Sequence, residues 1–149
     1  MPYDSLRDFI ENGLEPQGQL VRVSTPVSPI LEMTEIQTRL IAEGGPAVLF
    51  ENPVRLDGSP YNMPVLVNLF GTVERVAKGM NRSPSGLREI GETLAFLRQP
   101  EPPGSWKEAF SMMPLLKTVM AMKPNLVSSA PCQEVILLGD DINLGDLPI

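Results

Sequence analysis

Sixteen prolines in 149 residues restrict how this chain folds more than any other feature of its sequence. Proline lacks a backbone N–H donor and fixes φ, so it interrupts helices and central strands. Its share here is about twice the usual share of roughly 5%. We therefore expect short helices and strands joined by many loops. The core must be mainly aliphatic, because only 5% of the residues are aromatic.

Hydrophobic spacing and capping residues predict a mixture of helices and strands. Ser5 with Asp8 three positions later is typical of a helix N-terminus and predicts a helix that ends at Gly13. Ser105 with Glu108 repeats this pattern, and Pro114 must end or kink the helix that follows. The predicted elements are helices over 6–13, 29–43, 73–80, 84–97, 105–113 and 115–122, and strands over 19–25, 47–50, 63–68 and 133–138.

This order of elements predicts an α/β (α+β) fold in which a small mixed β-sheet is covered by helices. One domain over residues 1–149 is the default for this length. The proline-dense segment QPEPPG, residues 99–104, is typical of a stiff connector and marks a sub-boundary. The last segment, GDDINLGDLPI, ends on an apolar residue rather than in a polar, frayed tail. We therefore expect the parent protein to continue beyond Ile149.

Charge and rare residue types exclude several classes of function. The net charge of −6 repels a phosphate backbone, so no nucleic acid partner is expected. The absence of histidine excludes a Ser-His or Cys-His nucleophile and a histidine-ligated zinc site within this chain. A single cysteine, Cys132, cannot form a disulfide within the chain, which favours a cytoplasmic location. Neither a signal peptide nor an apolar run of roughly 20 residues is present.

Gly44 and Gly45, in the segment GGPAVLFENP, raise the question of a phosphate-binding loop. Such loops place their glycines after a strand and before a helix, and the P-loop adds a lysine. Here the glycines precede the predicted strand, and no lysine follows. We interpret them as the end of a helix, where glycine adopts the left-handed conformation, and as the entry to a strand.

Four oxygen-bearing side chains near the end of the chain suggest a calcium loop, but their spacing does not fit one. Asp140, Asp141, Asn143 and Asp146 lack the closing glutamate of an EF-hand, and Gly145 occupies a ligand position. Solvated loop acids are the favoured interpretation.

The remaining candidates also have structural explanations. Glu32 and Glu35 lie in the first turns of a predicted helix, where the helix dipole alone favours acids, so an acid–base pair is not required. Cys132 has no basic neighbour in the sequence, which favours burial over reactivity. Helical spacing favours core packing over a partner surface for four methionines, Met112, Met113, Met120 and Met122. The residues themselves show no catalytic constellation.

Eight segments in a fixed order nevertheless resemble one family. They are SLRDFIE, QLVRV, PVSPILEMTEI, GGPAVLFENP, MPVLVNLFGTVERVAKGM, LREIGETLAFLRQPEPP, APCQEVI and GDDINLGDLPI. Together they resemble the N-terminal domain of UbiD-type decarboxylases, the 3-octaprenyl-4-hydroxybenzoate carboxy-lyase family, from Tyr3 to Ile149. Two departures are local: the loop over 54–62 is longer than is usual in the family, and Ile30 stands where a histidine is common.

The resemblance implies that the parent is a lyase that removes the carboxylate of a 4-hydroxy-3-polyprenylbenzoate as carbon dioxide in ubiquinone biosynthesis. The family's cofactor is prenylated FMN, which is made by a flavin prenyltransferase and binds with manganese and potassium ions. A flavin-binding split-barrel domain of the parent carries this cofactor. We also expect the parent to be a homo-oligomer.

In the family, the flavin contacts, the metal ligands, and the catalytic arginine and acids follow the segment that matches Leu147-Pro148-Ile149. The resemblance therefore assigns no catalytic, cofactor-binding or metal-binding residue to this chain, which we expect to be inactive alone and to hold no cofactor. Its expected role is to pack against the flavin-binding domain of a cytoplasmic parent that lies peripherally at the inner membrane. The alternative is a free-standing interaction or regulatory module without catalysis.

Overall fold

The computed structural model describes residues 3–99, 104–121, 123–124 and 126–148. The chain forms two compact units, one comprising Met1–Gly91 with Asn143–Ile149 and the other Glu92–Ile142. The sub-boundary predicted at 99–104 falls largely on 100–103, which lie outside the described residues, and it stays a prediction.

The first unit begins with a helical segment and contains a three-stranded sheet. Helix α1, Leu6–Asp8, continues as a wider π-helical turn, Phe9–Leu14, and then as a 3₁₀ turn, Glu15–Gln17. The other elements are strand β1, Leu20–Val23; a wide turn, Pro29–Met33; helix α2, Thr34–Ala42; strands β2, Ala47–Phe50, and β3, Val65–Val67; and helix α3, Val73–Gly79. Helix α4, Gly86–Arg98, begins in the first unit and ends in the second. The predicted strands over 19–25, 47–50 and 63–68 are thus confirmed.

The sheet is mixed, with strand order β1-β2-β3. Strand β1 runs parallel to β2, with Leu20 opposite Ala47, and β3 runs antiparallel to β2, with Val67 opposite Val48. Parallel neighbours cannot be joined by a tight turn, so the chain crosses over through α2 between them. Helices with a small mixed sheet confirm the predicted α+β fold.

Both faces of the sheet carry buried side chains, because alternate residues of a strand point to opposite sides. The N-terminal helical segment covers one face through a cluster of Phe9, Ile10, Leu14, Leu20 and Ala47. On the other face lies a cluster of Met33, Val48, Phe50 and Val67, with Leu40 of α2 packed against it. The core is mainly aliphatic, as the composition predicts.

Glycines in the first helical segment serve two different purposes. The prediction that this segment ends at Gly13 is wrong, because it continues to Gln17, and Gly18 ends it with a φ of 65°. Gly13 is buried inside the segment, where a Cβ atom would lie 2.9 Å from ring atoms of both Tyr3 and Phe9. Close packing, which a sequence pattern does not reveal, explains the glycine at this position.

Helix α2 begins later than its apolar periodicity predicts. In the turn Pro29–Met33, Leu31 has a φ of 68°, which breaks the helical path. Two hydrogen bonds hold the turn: Ser28 Oγ accepts from the Ile30 N–H at 3.2 Å, and Glu32 Oε2 accepts from the Ser28 N–H at 2.7 Å. Regular helix therefore starts only at Thr34.

The second unit contains helices α5, Trp106–Ser111, and α6, Met113–Ala121. The predicted break between two helices is present, but it falls at Met112, and Pro114 lies in the first turn of α6, where proline is tolerated. The strand predicted over 133–138 is wrong: the described chain there is a 3₁₀ turn, Pro131–Gln133, followed by irregular structure. Among the described residues, no helix has the length and apolar character needed to cross a bilayer.

Candidate functional site: a groove beside the first helix

An open groove of about 600 Å³ lies between α1 and the part of the sheet that α1 leaves uncovered. Ile10 of the π-helical turn, Leu49 of β2 and Leu66 of β3 line it with apolar side chains. Strand alternation places Leu49 and Leu66, which are paired across β2 and β3, on the same face of the sheet. The volume and the apolar floor are within the range of sites that bind small molecules or side chains.

A charge network forms the sheet side of the groove. Arg22 Nε donates to Glu15 Oε1, and Arg22 Nη1 donates to Glu51 Oε1 at 3.4 Å. Ser24 Oγ donates to Glu51 Oε2 at 2.8 Å. The hydrogen bond to Glu15 raises the pKa of Arg22, and Glu51 adds to the same effect. Because 41% of the Arg22 side chain is exposed, this network contributes little to the stability of the fold. Its main effect is to hold the charged side chains at the edge of the groove in position.

The helical side of the groove carries Arg7 and Glu11. Neither forms an ion pair with a residue that the structure describes. The groove thus offers an apolar floor with charged groups at its edge. This arrangement suits the binding of an apolar group with a polar end.

Arg75 of α3 is the feature that sequence reasoning missed. It is only 1% exposed, although arginine is seldom fully buried. Its guanidinium donates from Nε to Leu69 O, from Nη1 to Gln19 Oε1 and from Nη2 to Asn68 O, each at 3.1 Å. Burial lowers the pKa of Arg75, and the charge of neighbouring Glu74 opposes this.

The arginine belongs to a tight corner after β3. Asn68 has a φ of 54°, and its Nδ2 donates to Gly45 O and Pro46 O, both at 2.9 Å. Its Oδ1 is buried and accepts no hydrogen bond from the described residues. A Cβ atom at Gly71 would lie 1.7 Å from this Oδ1, so only glycine fits there. Asn68 therefore joins the corner after β3 to the entry of β2.

The interpretation of Gly44 and Gly45 as a helix end is confirmed. Gly44 has a φ of 63° and donates to Ile41 O at 3.3 Å, while Gly45 donates to Leu40 O at 2.7 Å. These two bonds form a Schellman motif, which satisfies the last carbonyls of α2. Strand β2 then begins at Ala47. The glycines are structural.

The acids near the chain end form no metal-binding group among the described residues. Asp140 and Asp141 are exposed in a 3₁₀ turn, and Asn143 Oδ1 accepts from the Gly145 N–H at 3.0 Å. Asp146 Oδ1 lies 3.1 Å from Arg55 Nη2, an ion pair that the sequence did not predict. Solvated loop acids thus remain the better interpretation than a calcium loop.

Glu32 and Glu35 have the structural roles that their position in the sequence favours. Glu32 accepts a hydrogen bond in the turn before α2. Glu35 pairs with Arg39 one turn later in α2, with 2.7 Å between Oε1 and Nη2. No acid–base pair is required to explain them.

Two predictions of burial in the second unit are wrong. Cys132 is exposed. Met113 and Met120 are 58% and 78% exposed, and Met112 is only partly buried, whereas Met122 lies outside the described residues. Helical spacing predicted an apolar stripe correctly, but no second layer of the described unit covers it.

The described residues do not fit the manganese ion that the resemblance implies for the parent. They contain no group of three or more His, Cys, Asp or Glu side chains close enough to hold a metal ion. We therefore derive no chemical step through a metal or flavin from this chain.

Comparison with known protein families identifies the region that carries the sheet. Residues 12–94, more than half of the chain, match the family described as 3-octaprenyl-4-hydroxybenzoate carboxy-lyase N-terminal domain. The match covers all three strands, the Gly44-Gly45 helix end and the corner that holds Arg75. The same family was indicated by the ordered sequence segments. The chain therefore belongs to the UbiD N-terminal domain family, which links it to the UbiD-type carboxy-lyases.

Proposed function

We propose that this chain is the N-terminal domain of a prenylated-FMN-dependent, non-oxidative aromatic acid decarboxylase. The proposed substrate is a 4-hydroxy-3-polyprenylbenzoate, and the proposed pathway is ubiquinone biosynthesis. The observation that carries the proposal is the family match over residues 12–94. The ordered segments outside that match, from APCQEVI to the chain end, support the same assignment.

The chemistry of the reaction explains why we place catalysis outside this chain. Loss of carbon dioxide from an aryl ring leaves charge in the ring plane, where the π system does not delocalise it, so the reaction needs an electrophilic cofactor. Prenylated FMN supplies that electrophile when it is bound. The described residues show no group of three or more His, Cys, Asp or Glu side chains that could hold a metal ion. We assign the flavin, manganese and potassium to a flavin-binding split-barrel domain of the parent.

The role proposed for this chain is to pack against that flavin-binding domain. Two apolar side chains near the chain end support this role, since Leu144 and Leu147 are 69% and 38% exposed. Exposed apolar side chains are typical of a surface that another protein layer covers.

The segment that carries Leu144 and Leu147 is held in place within the first unit. Asp146, between them, pairs with Arg55, whose Nη1 also donates to Pro60 O at 2.9 Å. The Arg55 guanidinium stacks over the ring of Tyr61 at 4.3 Å from the ring centroid. An anchored segment loses less conformational entropy on docking than a free tail, which favours a docking role.

The parent's other partners follow from the same proposal. A flavin prenyltransferase would supply its cofactor, and the parent would be a cytoplasmic homo-oligomer lying peripherally at the inner membrane. We propose no nucleic acid partner, because the net charge is −6.

Catalysis tests the proposal directly. The 149-residue chain and its full-length parent are each supplied with prenylated FMN and manganese, and carbon dioxide release from 4-hydroxy-3-polyprenylbenzoates is measured. We expect release from the parent, together with flavin absorbance after purification, and neither from the chain alone. Turnover by the isolated chain would disprove the assignment of catalysis to another domain. If the gene ends at Ile149, the free-standing module is the correct alternative.

Docking is tested separately by mixing the 149-residue chain with the remainder of the parent. We expect the two pieces to associate in size-exclusion chromatography. Leu144→Asp should weaken this association by about tenfold or more, since it places a charge in an apolar interface. The matched control is Leu126→Asp in the second unit, at a side chain that is exposed as well. Equal effects of the two variants would contradict the proposed docking surface.

A further inference from the structure

A second cavity of the first unit, about 400 Å³ in volume, differs chemically from the groove. It is lined by Tyr3, Lys78, Asn81, Arg82 and Ser83. All five side chains carry hydrogen-bond donors, two are cations, and none is a carboxylate. We propose that this cavity binds a phosphate monoester. The proposed decarboxylase function does not require this site, because it assigns the phosphate of prenylated FMN to another domain of the parent.

The end of α3 brings the two cations to the same cavity. Asn81 adopts a φ of 54°, and its N–H donates to Lys78 O at 2.9 Å. The Arg82 N–H donates to Ala77 O at 2.8 Å. These bonds form a second Schellman motif, with asparagine where glycine is usual. The reversal of the chain places Arg82 beside the last turn of α3, which carries Lys78.

The ammonium group of Lys78 is held in position rather than free in solvent. Its Nζ donates to Gly13 O at 2.6 Å, which leaves two donors for a ligand. Tyr3 reaches the same place, since a Cβ atom at Gly13 would lie 3.0 Å from its hydroxyl oxygen. That hydroxyl makes no hydrogen bond to a described residue, so Gly13 brings one free hydroxyl and one anchored cation together.

The charge of this cavity is opposite to that of the whole chain. The chain has 18 acidic and 12 basic residues, yet neither Lys78 nor Arg82 forms an ion pair with a residue that the structure describes. Glu74 lines a neighbouring cavity that shares Lys78, but it does not line this one. Two like charges brought close together destabilise each other, and a bound anion would remove that repulsion.

The number of donors favours phosphate over carboxylate. Arg82 donates only from Nη1 to Asn81 O, at 3.2 Å, so most of its guanidinium N–H groups remain available. Together with Lys78 and Tyr3 they can serve the three terminal oxygens of a phosphate monoester, whereas a carboxylate has two oxygens. A soluble phosphorylated compound and a lipid headgroup share this chemistry.

Titration of the 149-residue chain with inorganic phosphate at constant ionic strength tests the site. We expect saturable chemical-shift changes in NMR spectra at Tyr3 and at 78–83, and weaker binding of acetate. Arg82→Gln should weaken phosphate binding by about tenfold, which corresponds to the loss of one charge-assisted hydrogen bond. Arg82→Lys should recover part of it. The matched control, Arg39→Gln, removes an exposed arginine of α2 and should leave binding unchanged.

Three results would overturn the proposal: shifts that do not saturate, equal weakening by Arg82→Gln and Arg39→Gln, or equal affinity for acetate. Circular dichroism of each variant checks that it is folded. Vesicles of phosphatidylcholine with and without phosphatidic acid then distinguish the sources of the phosphate. Sedimentation that requires phosphatidic acid and is lost in Arg82→Gln assigns the site to a lipid headgroup. Phosphate binding without sedimentation assigns it to a soluble compound.

Discussion

The two units of this chain differ in how far their apolar side chains are buried. In the first unit, Leu14 and Ala47 are fully buried and Phe50 is 1% exposed, because helical segments face both sides of the sheet. In the second unit, Trp106 and Phe110 of α5 are 88% and 75% exposed. Both units have apolar segments at regular spacing. The difference shows that such a segment becomes a core only where a second layer faces it.

The largest expected effect compares the same substitution in both units. Phe50→Ala should lower the free energy of unfolding by about 4 kcal/mol, because it leaves a cavity between β2 and α2. Phe110→Ala should change it by less than about 0.5 kcal/mol, since the ring is already exposed. Urea unfolding followed by far-UV circular dichroism measures both values. Similar losses would show that Phe110 is buried in solution and would contradict the difference in burial between the two units.

Substitution of Arg75 tests whether a buried polar side chain stabilises the first unit as much as a buried apolar one does. Arg75→Ala should cost about 3 kcal/mol of unfolding free energy, because it leaves the acceptors on Leu69, Asn68 and Gln19 without their donor. Arg39→Ala removes an exposed arginine that pairs with Glu35 and should cost about 0.5 kcal/mol. The same urea series measures both. A loss below about 1 kcal/mol for Arg75→Ala would mean that solvent reaches these acceptors.

Two glycines of the first unit compare a closely packed backbone position with an open one. Gly71→Ala places a Cβ atom against Asn68 Oδ1 and should cost about 2 kcal/mol by displacing the corner after β3. Gly91→Ala should stabilise the chain by about 0.5 kcal/mol, because Gly91 lies within α4 and a Cβ atom there meets no other atom within 4 Å. Thermal unfolding gives the direction of each change. Destabilisation by both would contradict the packing described at Gly91.

The smallest expected effect concerns the loop over 52–62 in the first unit. A hydrogen bond from the Ser59 hydroxyl lowers the pKa of Asp57, and the Ser59 N–H adds to it. Because the pKa of Asp57 is lower in the folded state than in the unfolded state, the Asp57 carboxylate stabilises the fold at pH values above its unfolded-state pKa. This stabilisation is lost as the pH falls through the folded-state pKa. An NMR pH titration should show the Asp57 pKa rising toward its ordinary value in Ser59→Ala and staying low in Ser59→Thr. An unchanged pKa in Ser59→Ala would mean that the loop is not ordered in this way.

Several local features were predicted well because neighbouring residues decide them. The bounds of β2, Ala47–Phe50, agree with the prediction, since Gly44, Gly45 and Pro46 end one element and start the next. Helix α3 begins at Val73 as predicted, and Thr72 Oγ1 caps it by accepting from the Arg75 N–H at 3.3 Å. Capping and helix termination involve residues within about one turn of each other, so the sequence displays them directly.

The candidate sites were predictable only in part. The roles of Glu32 and Glu35 followed from their place at a helix start, whereas the argument against a calcium loop at the terminal acids stays a prediction. The groove and the cationic cavity were not visible, because each combines residues from elements far apart in the sequence. Lys78 and Tyr3, for example, meet through Gly13, which the sequence pattern marked only as a helix end.

By itself, then, the sequence determined the class of fold, most helix and strand positions, and the family, because these depend on local propensity and on the order of short segments. Only the tertiary structure decided which strands pair in parallel, that Arg75 is buried, and that Cys132 and the segment 133–138 are exposed. Burial and strand pairing depend on which distant segment of the chain packs against a residue. Apolar spacing predicts that a face will be covered, but it does not identify the segment that covers it.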